Sequence, residues 1–456
     1  MHDMSVGYGP TMPEANAAAA ALLVRDAAAV AGIEKLRFFP LALASGSGSW
    51  LTEVGGRQLL DLSATWTAAG LGHGDPEVGA AIAAATENPP GVGGLSAVHA
   101  DSVGLAEDLL ALTPGSGERR VYLGHSGSDA NDVALRACRL ATGKPRIVAF
   151  EHGYHGGLGV AMGVSGVHVD AGAVADPNGA FIPFPDPYRP HTGDATSVVD
   201  DTLERLEVEL SAGDVACVAV EPILSDGGLV VPPDGFLREL METCRRNDVL
   251  VMCDEVKVGL GRPGLLHAFQ HDDVTPDLVA FGKALGGGLP LSAAVGPAAV
   301  LDNPPAAALL TTAGNPICTA AGRVVLRRLV DDDLAARAAV AGARLLRHLR
   351  EFAADGSDAA GRVGDVRGRG LAIGIDLVTD RDSRGRDGDL ARRVVYRAWQ
   401  LGAVIYYVGS NVLEVTPPLI ISDAEVDLAA ELLATAIRDA VAGAVSDELI
   451  APFAGW

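Results

Sequence analysis

Several things are scarce in this chain, and each scarcity excludes something. Its 456 residues include five cysteines, Cys138, Cys217, Cys244, Cys253 and Cys318, an odd and scattered set without a CxxC pair. That spacing argues against a disulfide framework and a structural zinc site, fits a reducing cytoplasm, and leaves the thiols as small core residues. Basic residues are outnumbered: 35 Lys and Arg face 58 Asp and Glu, a formal charge of −23. Such a surface repels nucleic acid and anionic membranes and attracts a polycationic small molecule, though acidity also serves solubility alone. Long apolar runs are missing as well. A stretch such as Ala17 to Val24 is alanine-dominated and too short to span a bilayer. Asp3 and Glu14 occupy the opening segment without a basic region ahead of an apolar one, so no secretory signal is expected.

What is present reads as a folded α/β chain. At 48% hydrophobic and 20% charged it is neither disordered nor fibrous, and its length exceeds a single core, so two domains are expected. Short apolar runs at Arg146 to Phe150, Val215 to Val220, Val249 to Cys253 and Leu278 to Phe281 predict strands. Helix patterns at Val198 to Leu210 and Gly235 to Arg246, the latter with Asp234 as N-cap, alternate with them. This alternation predicts a mostly parallel sheet covered on both faces, with ligands beyond the carboxyl ends of the strands. After about residue 315 the texture becomes α+β. Helices are expected over Ala320 to Leu329, Leu334 to Phe352, Asp389 to Leu401 and Asp423 to Ala440, and strands over Gly370 to Val378 and Val412 to Val415. Gly356 to Gly361 and Thr379 to Gly388 read as loops. Residues 1 to about 75 offer a helix, Glu14 to Ala31, and extended pieces around Trp50 and Leu59 to Leu62, able to pack on either domain.

Chemistry concentrates in four stretches. Lys283 stands in Phe281-Gly-Lys-Ala-Leu-Gly-Gly-Gly288, 29 positions (283 minus 254) after Asp254 in Val251-Met-Cys-Asp-Glu-Val256. A lysine among glycines after one apolar run and an acid ending another suit pyridoxal phosphate (PLP). The amine forms a Schiff base, and the acid pairs with the pyridinium nitrogen and keeps the ring an electron sink. Alone, Lys283 reads more readily as a surface lysine in a flexible loop. Gly124-His-Ser-Gly-Ser-Asp-Ala-Asn131 opens a helix running to about Thr142, where free N–H groups and the positive helix end can hold a phosphate; ordinary capping by Ser126 or Ser128 is the plainer alternative. Glu151-His-Gly-Tyr-His-Gly-Gly157 follows a strand, and its aromatic can stack on the pyridine face. A metal loop would need a third ligand at sensible spacing, and none is found, so no metal is expected.

With these motifs in place the chain resembles the class III (ω-) aminotransferases, of fold type I among PLP enzymes. The markers, in order, are Gly72-His-Gly-Asp-Pro76, Ser126 to Asn131, Tyr154-His-Gly156, Val220-Glu-Pro222, Asp254-Glu-Val256 with Gly259-Leu-Gly-Arg262, Gly282 to Gly288, Gly314-Asn-Pro316 and Thr416-Pro-Pro-Leu419. The resemblance implies a large domain with a mostly parallel seven-stranded sheet, residues 76–315, and a small α+β domain, residues 316–456. The segment 1–75 would pack on the small domain and at a dimer interface. It further implies Lys283 as the Schiff-base lysine, Asp254 as pyridinium partner and Tyr154 as stacking ring. Ser126, Gly127 and Ser128 would hold the phosphate, and Glu221 would stand at the cofactor. Thr311 would reach the same phosphate from the neighbouring subunit of a homodimer.

Two positions depart from the family pattern. Where relatives that handle ω-amino acids carry an arginine clamp for carboxylates, three before the Pro-Pro pair (417 minus 3), this chain has Glu414. Where they often carry glutamine near the cofactor's phenolic oxygen, it has Lys257. Trp66 lies where relatives place a substrate-facing aromatic and offers a platform for a sugar ring; Asp226 adds an acid near the pocket mouth. Together with the acidic surface, Glu414, Asp226 and Trp66 predict a cationic, hydroxylated amine without a carboxylate. The chain looks most like the aminosugar aminotransferases of aminoglycoside pathways that act at an exocyclic 6′ carbon, working by ping-pong exchange through pyridoxamine phosphate. A PLP isomerase using the same lysine (a C6′ epimerase or a glutamate-1-semialdehyde-type aminomutase), an ω-amino acid transaminase and a non-catalytic PLP-binding module are the alternatives.

Overall fold

The computed structural model describes residues 17–89 and 92–453; Asp3, Glu14 and the start of the expected first helix lie outside them, and that helix is described over Ala17–Ala29. A seven-stranded sheet forms the centre. Across it run Arg119–Gly124, Ser292–Pro297, Leu278–Phe281, Leu250–Asp254, Val215–Val220, Arg146–Phe150 and Gly179–Ile182. Ser292–Pro297 is antiparallel to both neighbours, and every other adjacent pair is parallel. Val215–Val220 is buried at all six positions, as a strand covered on both faces must be. Alternate residues feed two separate cores. Val148, Phe150, Val218 and Val220 join Leu206 and Leu240 of the helices Val198–Leu210 and Phe236–Arg246; Ile147, Ala149, Cys217 and Ala219 join Ala134, Leu135 and Cys138 of the helix Gly127–Thr142.

Two smaller sheets complete the molecule. Val363–Arg369, Ala372–Leu377, Val412–Val415 and Tyr406–Val408 form an antiparallel sheet, with the helices Leu334–Ala353, Gly388–Leu401 and Asp423–Val441 in the same part of the chain. The other joins distant parts of the sequence: Leu43–Ser47, Trp50–Glu53 and Gln58–Asp61 are antiparallel neighbours, and Ala403–Val404 adds in parallel with Ala403 opposite Leu60. Among the described residues no helix is long and apolar enough to cross a membrane.

Local expectations fail in three places. Gly235, with φ 91°, holds the N-cap of Phe236–Arg246 without a side-chain bond, because Asp234 is drawn away to Arg369 at 2.6 Å. Gly356 to Gly361 is not all loop: Ser357 accepts from the Ala360 amide and starts a short helix, Asp358–Gly361. The strand expected from Val249 to Cys253 runs one residue later, Leu250–Asp254, so that Asp254 is its last residue and faces what lies beyond the sheet.

Candidate active site

Asp254 is 4% exposed, and its carboxylate is held on both oxygens. Asn131 Nδ2 at 2.7 Å and His155 Nδ1 at 2.9 Å donate to Oδ2, and the Val256 amide donates to Oδ1 at 3.0 Å. Burial works against a proton on His155, but the hydrogen bond and charge of Asp254 outweigh it, and the imidazole titrates above its ordinary value. Asp254 is thereby fixed in place with a negative charge available to a cationic ring nitrogen.

Lys283 follows the next strand, opens a short turn, Lys283–Gly286, and adopts φ 42°. A lysine in the left-handed region is a strained residue of the kind that concentrates at functional sites. It lines the same cavity of about 380 Å³ as Asp254, Tyr154 and Ser128. Burial, then the nearby charge of Lys257, pull its pKa below that of an ordinary lysine, which favours the neutral, nucleophilic amine.

The helix Gly127–Thr142 starts at the cavity wall. Ser126 is its N-cap and forms a capping box with Asp129, so the plain reading of Ser126 as a cap holds. Asp129 takes the amides of His125 and Ser126 at 3.0 Å each. The amides of Gly127 and Ser128, the first helical residues, meet no acceptor among the described residues and lie in the lining of the cavity. Two glycines let the backbones close in: a Cβ on Gly127 would stand 2.5 Å from Val256 Cγ1, and one on Gly156 2.5 Å from Ser128 Cα. Open amides at a helix start, a pinned buried carboxylate and a lysine of suppressed basicity on one wall fit the phosphate, ring nitrogen and aldehyde of PLP. Tyr154 lines the cavity beside them; its amide donates to Glu221 Oε1 at 2.9 Å, and Glu221 also accepts from the amide and hydroxyl of Ser225. Burial pushes the Glu221 carboxyl up to about 7.

The two departures at 257 and 414 prove to be one arrangement. Lys257 Nζ lies 2.8 Å from Asp226 Oδ1 and 3.0 Å from Glu414 Oε1, with the three side chains 5%, 10% and 2% exposed. Burial lowers the Lys257 pKa, but the two carboxylates more than reverse this and keep it a cation. Asp226 resists its own burial penalty because Lys257 and Lys283 hold it ionised, whereas burial dominates at Glu414 and raises it, so Glu414 is the first of the pair to take a proton. Lys257 Nζ also sits 5.2 Å from the centroid of the Trp66 indole, which stacks on Tyr406 at 4.6 Å and 12°. Trp66 therefore does not present a bare platform, and neither it nor Glu414 lines the cavity; both meet it through Lys257, which does, as does Asp226. Thr311 is exposed and outside its own chain's cavity.

Three further residues escaped assignment from sequence. Asn131 and His155 stand inside the motifs that carry Ser126 and Tyr154, and only the fold shows that both converge on Asp254. Arg262 is buried and donates to the carbonyls of Leu371 at 3.0 Å and Pro417 at 2.9 Å, tying the Pro417-Pro418 turn beside Glu414 to the loop after Asp254. Burial lowers its pKa to about 10. Trp66 belongs to a run of four non-glycine residues with positive φ, Ala64 to Thr67, at 45°, 53°, 57° and 69°. Such backbone costs about 1–2 kcal/mol per residue, and it is secured by Ser63, whose hydroxyl takes the Thr65 amide and whose carbonyl takes the Thr67 amide and the Thr416 hydroxyl. Among the described residues no group of three or more His, Cys, Asp or Glu is arranged to hold a metal ion.

The chain is similar to known proteins over most of its length. The family model for class-III aminotransferases matches residues 33–437. The leucine/methionine racemase of Thermococcus litoralis is 32% identical over 432 residues, 92% of this chain and 96% of the relative. The isoleucine 2-epimerase of Lentilactobacillus buchneri is 32% identical over 92% of this chain and 95% of its own. Among solved structures, the omega transaminase from Pseudomonas jessenii in complex with PMP superposes with a TM-score of 0.82 at 26% identity, over 91% of this chain and 94% of that one. The chain belongs to the class-III aminotransferase family and is a fold-type I enzyme whose cofactor is PLP.

Proposed function

We propose that the enzyme is a PLP-dependent isomerase that inverts an amine-bearing carbon in a cationic, hydroxylated substrate lacking a carboxylate, with the 6′ carbon of an aminosugar as the reacting centre. One observation carries this reading: the family's carboxylate clamp is replaced by a closed Asp226–Lys257–Glu414 cluster, and among the described residues no arginine lines the cavity. With Lys257 spent on two acids, the cluster carries net negative charge, which repels a carboxylate and receives an ammonium. Inversion needs a proton taken from one face of the carbon and delivered to the other. Lys283, buried in the cavity and of lowered basicity, supplies the exchanging group on one face. Bound PLP supplies the electron sink. Tyr154 stacks on its ring, Gly127 and Ser128 hold its phosphate, and Thr311 serves the phosphate of a neighbouring copy in a homodimer. The similarity to a racemase and an epimerase supports isomerisation over transfer. Five buried free cysteines support a cytoplasmic setting.

Transfer of the same amine to a keto acid is the second reading, favoured by the similarity to the P. jessenii transaminase. Incubation with an aminoglycoside panel in deuterated water separates the two. Isomerisation is expected to place deuterium at the amine-bearing carbon without any keto acid; strict dependence on a keto acid would replace it with aminotransfer. A second expectation concerns the cluster. Lys257→Gln with Glu414→Arg restores the family pattern and is expected to raise kcat/KM for glutamate-like acids and lower it for aminosugars, each about tenfold, the worth of one charge-assisted contact. An unchanged preference in steady-state kinetics would discard the argument from charge.

A further inference from the structure

A second cavity of about 720 Å³ adjoins the inner one of about 380 Å³, and Asp226 lines both. The inner cavity carries the residues that hold the cofactor, so the outer chamber is the room left for whatever the reacting amine is attached to. Its polar groups are unevenly spent. Asp226 gives Oδ1 to Lys257, while its second oxygen accepts no hydrogen bond from the described residues. Among the described residues the Asp170 carboxylate meets only the His152 ring, at 2.7 Å, in a pair more than half exposed to solvent. Arg386, the one arginine of the chamber's described lining, donates to the Gly409 carbonyl at 3.0 Å and the Asn411 side-chain oxygen at 3.1 Å, and so is already engaged. Leu36 and Val167 add apolar wall suited to the C–H face of a ring.

Building on the function proposed above, we infer that the outer chamber is a distal subsite for a second, ammonium-bearing ring of the substrate, with Asp170 and the free oxygen of Asp226 as its anionic contacts. The enzyme then selects a multi-ring polyamine over a single aminosugar. Glycosidic extension of the sugar must precede this step, because the larger body supplies binding that a lone ring lacks.

Calorimetry on the PLP-loaded enzyme tests this with two probes, methyl 6-amino-6-deoxyglucoside (one ring) and neamine (two rings, several amines). Neamine is expected to bind at least about tenfold tighter, the margin of one or two charge-assisted bonds. Asp170→Asn should remove most of that margin and leave the one-ring affinity unchanged, since Asp170 touches neither Lys283 nor the cluster. Equal affinities in the unaltered enzyme, or equal weakening of both probes in Asp170→Asn, would overturn the subsite. Deuterium exchange on the one-ring probe separates the two levels. If that probe exchanges while neamine gains nothing, the subsite alone fails; if neither sugar binds, the proposed function and the subsite fail together.

Discussion

Replacing Lys283 by alanine is expected to lower turnover by about 10³-fold, the contribution typical of a positioned proton-transfer group. Lys283 is the residue of the cavity whose amine is both buried and of lowered basicity. Lys257, the other lysine in the lining, is held protonated between two carboxylates and cannot substitute. The cofactor should remain bound without a covalent link, because Asp254, Asn131, His155 and the open amides of Gly127 and Ser128 are untouched. Absorption gives a readout separate from rate: the visible band of the lysine–cofactor linkage should vanish while the protein still carries stoichiometric PLP. Added methylamine should restore part of the exchange by supplying the missing base. Undiminished deuterium exchange in the alanine variant would remove Lys283 from the chemistry.

Replacing Lys257 by methionine is expected to cost about 3–5 kcal/mol of unfolding free energy, the penalty for stranding buried charge. The volume is nearly conserved, so packing changes little, but Asp226 and Glu414 lose the cation between them. The loss should depend on pH with a definite sign. Burial already raises the carboxyl of Glu414, and without Lys257 the same force on Asp226 is opposed chiefly by the charge of Lys283. A carboxyl with a folded pKa above its unfolded value stabilises when protonated; that contribution is complete below the unfolded pKa and disappears as pH rises through the folded one. Relative to the unaltered enzyme, the deficit should therefore be largest at neutral and alkaline pH and shrink on acidification, where both acids take up protons. Urea unfolding at several pH values measures it. A deficit below about 1 kcal/mol at neutral pH is the surface-pair value and would mean the cluster is wet.

The central sheet was legible where strands are continuous apolar runs, as in Val215–Val220 and Leu278–Phe281. It was not legible in Arg119–Gly124, Gly179–Ile182 and Ser292–Pro297, where Arg, Ser, Gly and Pro break the pattern and pairing with neighbours decides the conformation. The residues gathered at the cavity were legible because their motifs are local: Asp254 ends a strand, Lys283 and Tyr154 each follow one, and the fold brings the three strand ends to one cavity. The charge cluster was not. Positions 226, 257 and 414 are far apart in sequence, and reading them one at a time gave Glu414 and Trp66 direct roles toward substrate. The structure places both against Lys257 and outside the cavity lining. Asn131 and His155 were overlooked for the same reason, since only the buried carboxylate between them shows why those residue types stand there.

The sheet that pairs Leu60 with Ala403 has a consequence for biosynthesis. The Ser63 to Thr67 turn, whose indole meets the active site through Lys257, follows a strand paired with residues 343 positions later (403 minus 60) and is bonded to Thr416. During translation the central sheet can assemble its strands as they emerge, yet the partners of this region at Ala403, Val404 and Thr416 arrive only when nearly the whole polypeptide has left the ribosome.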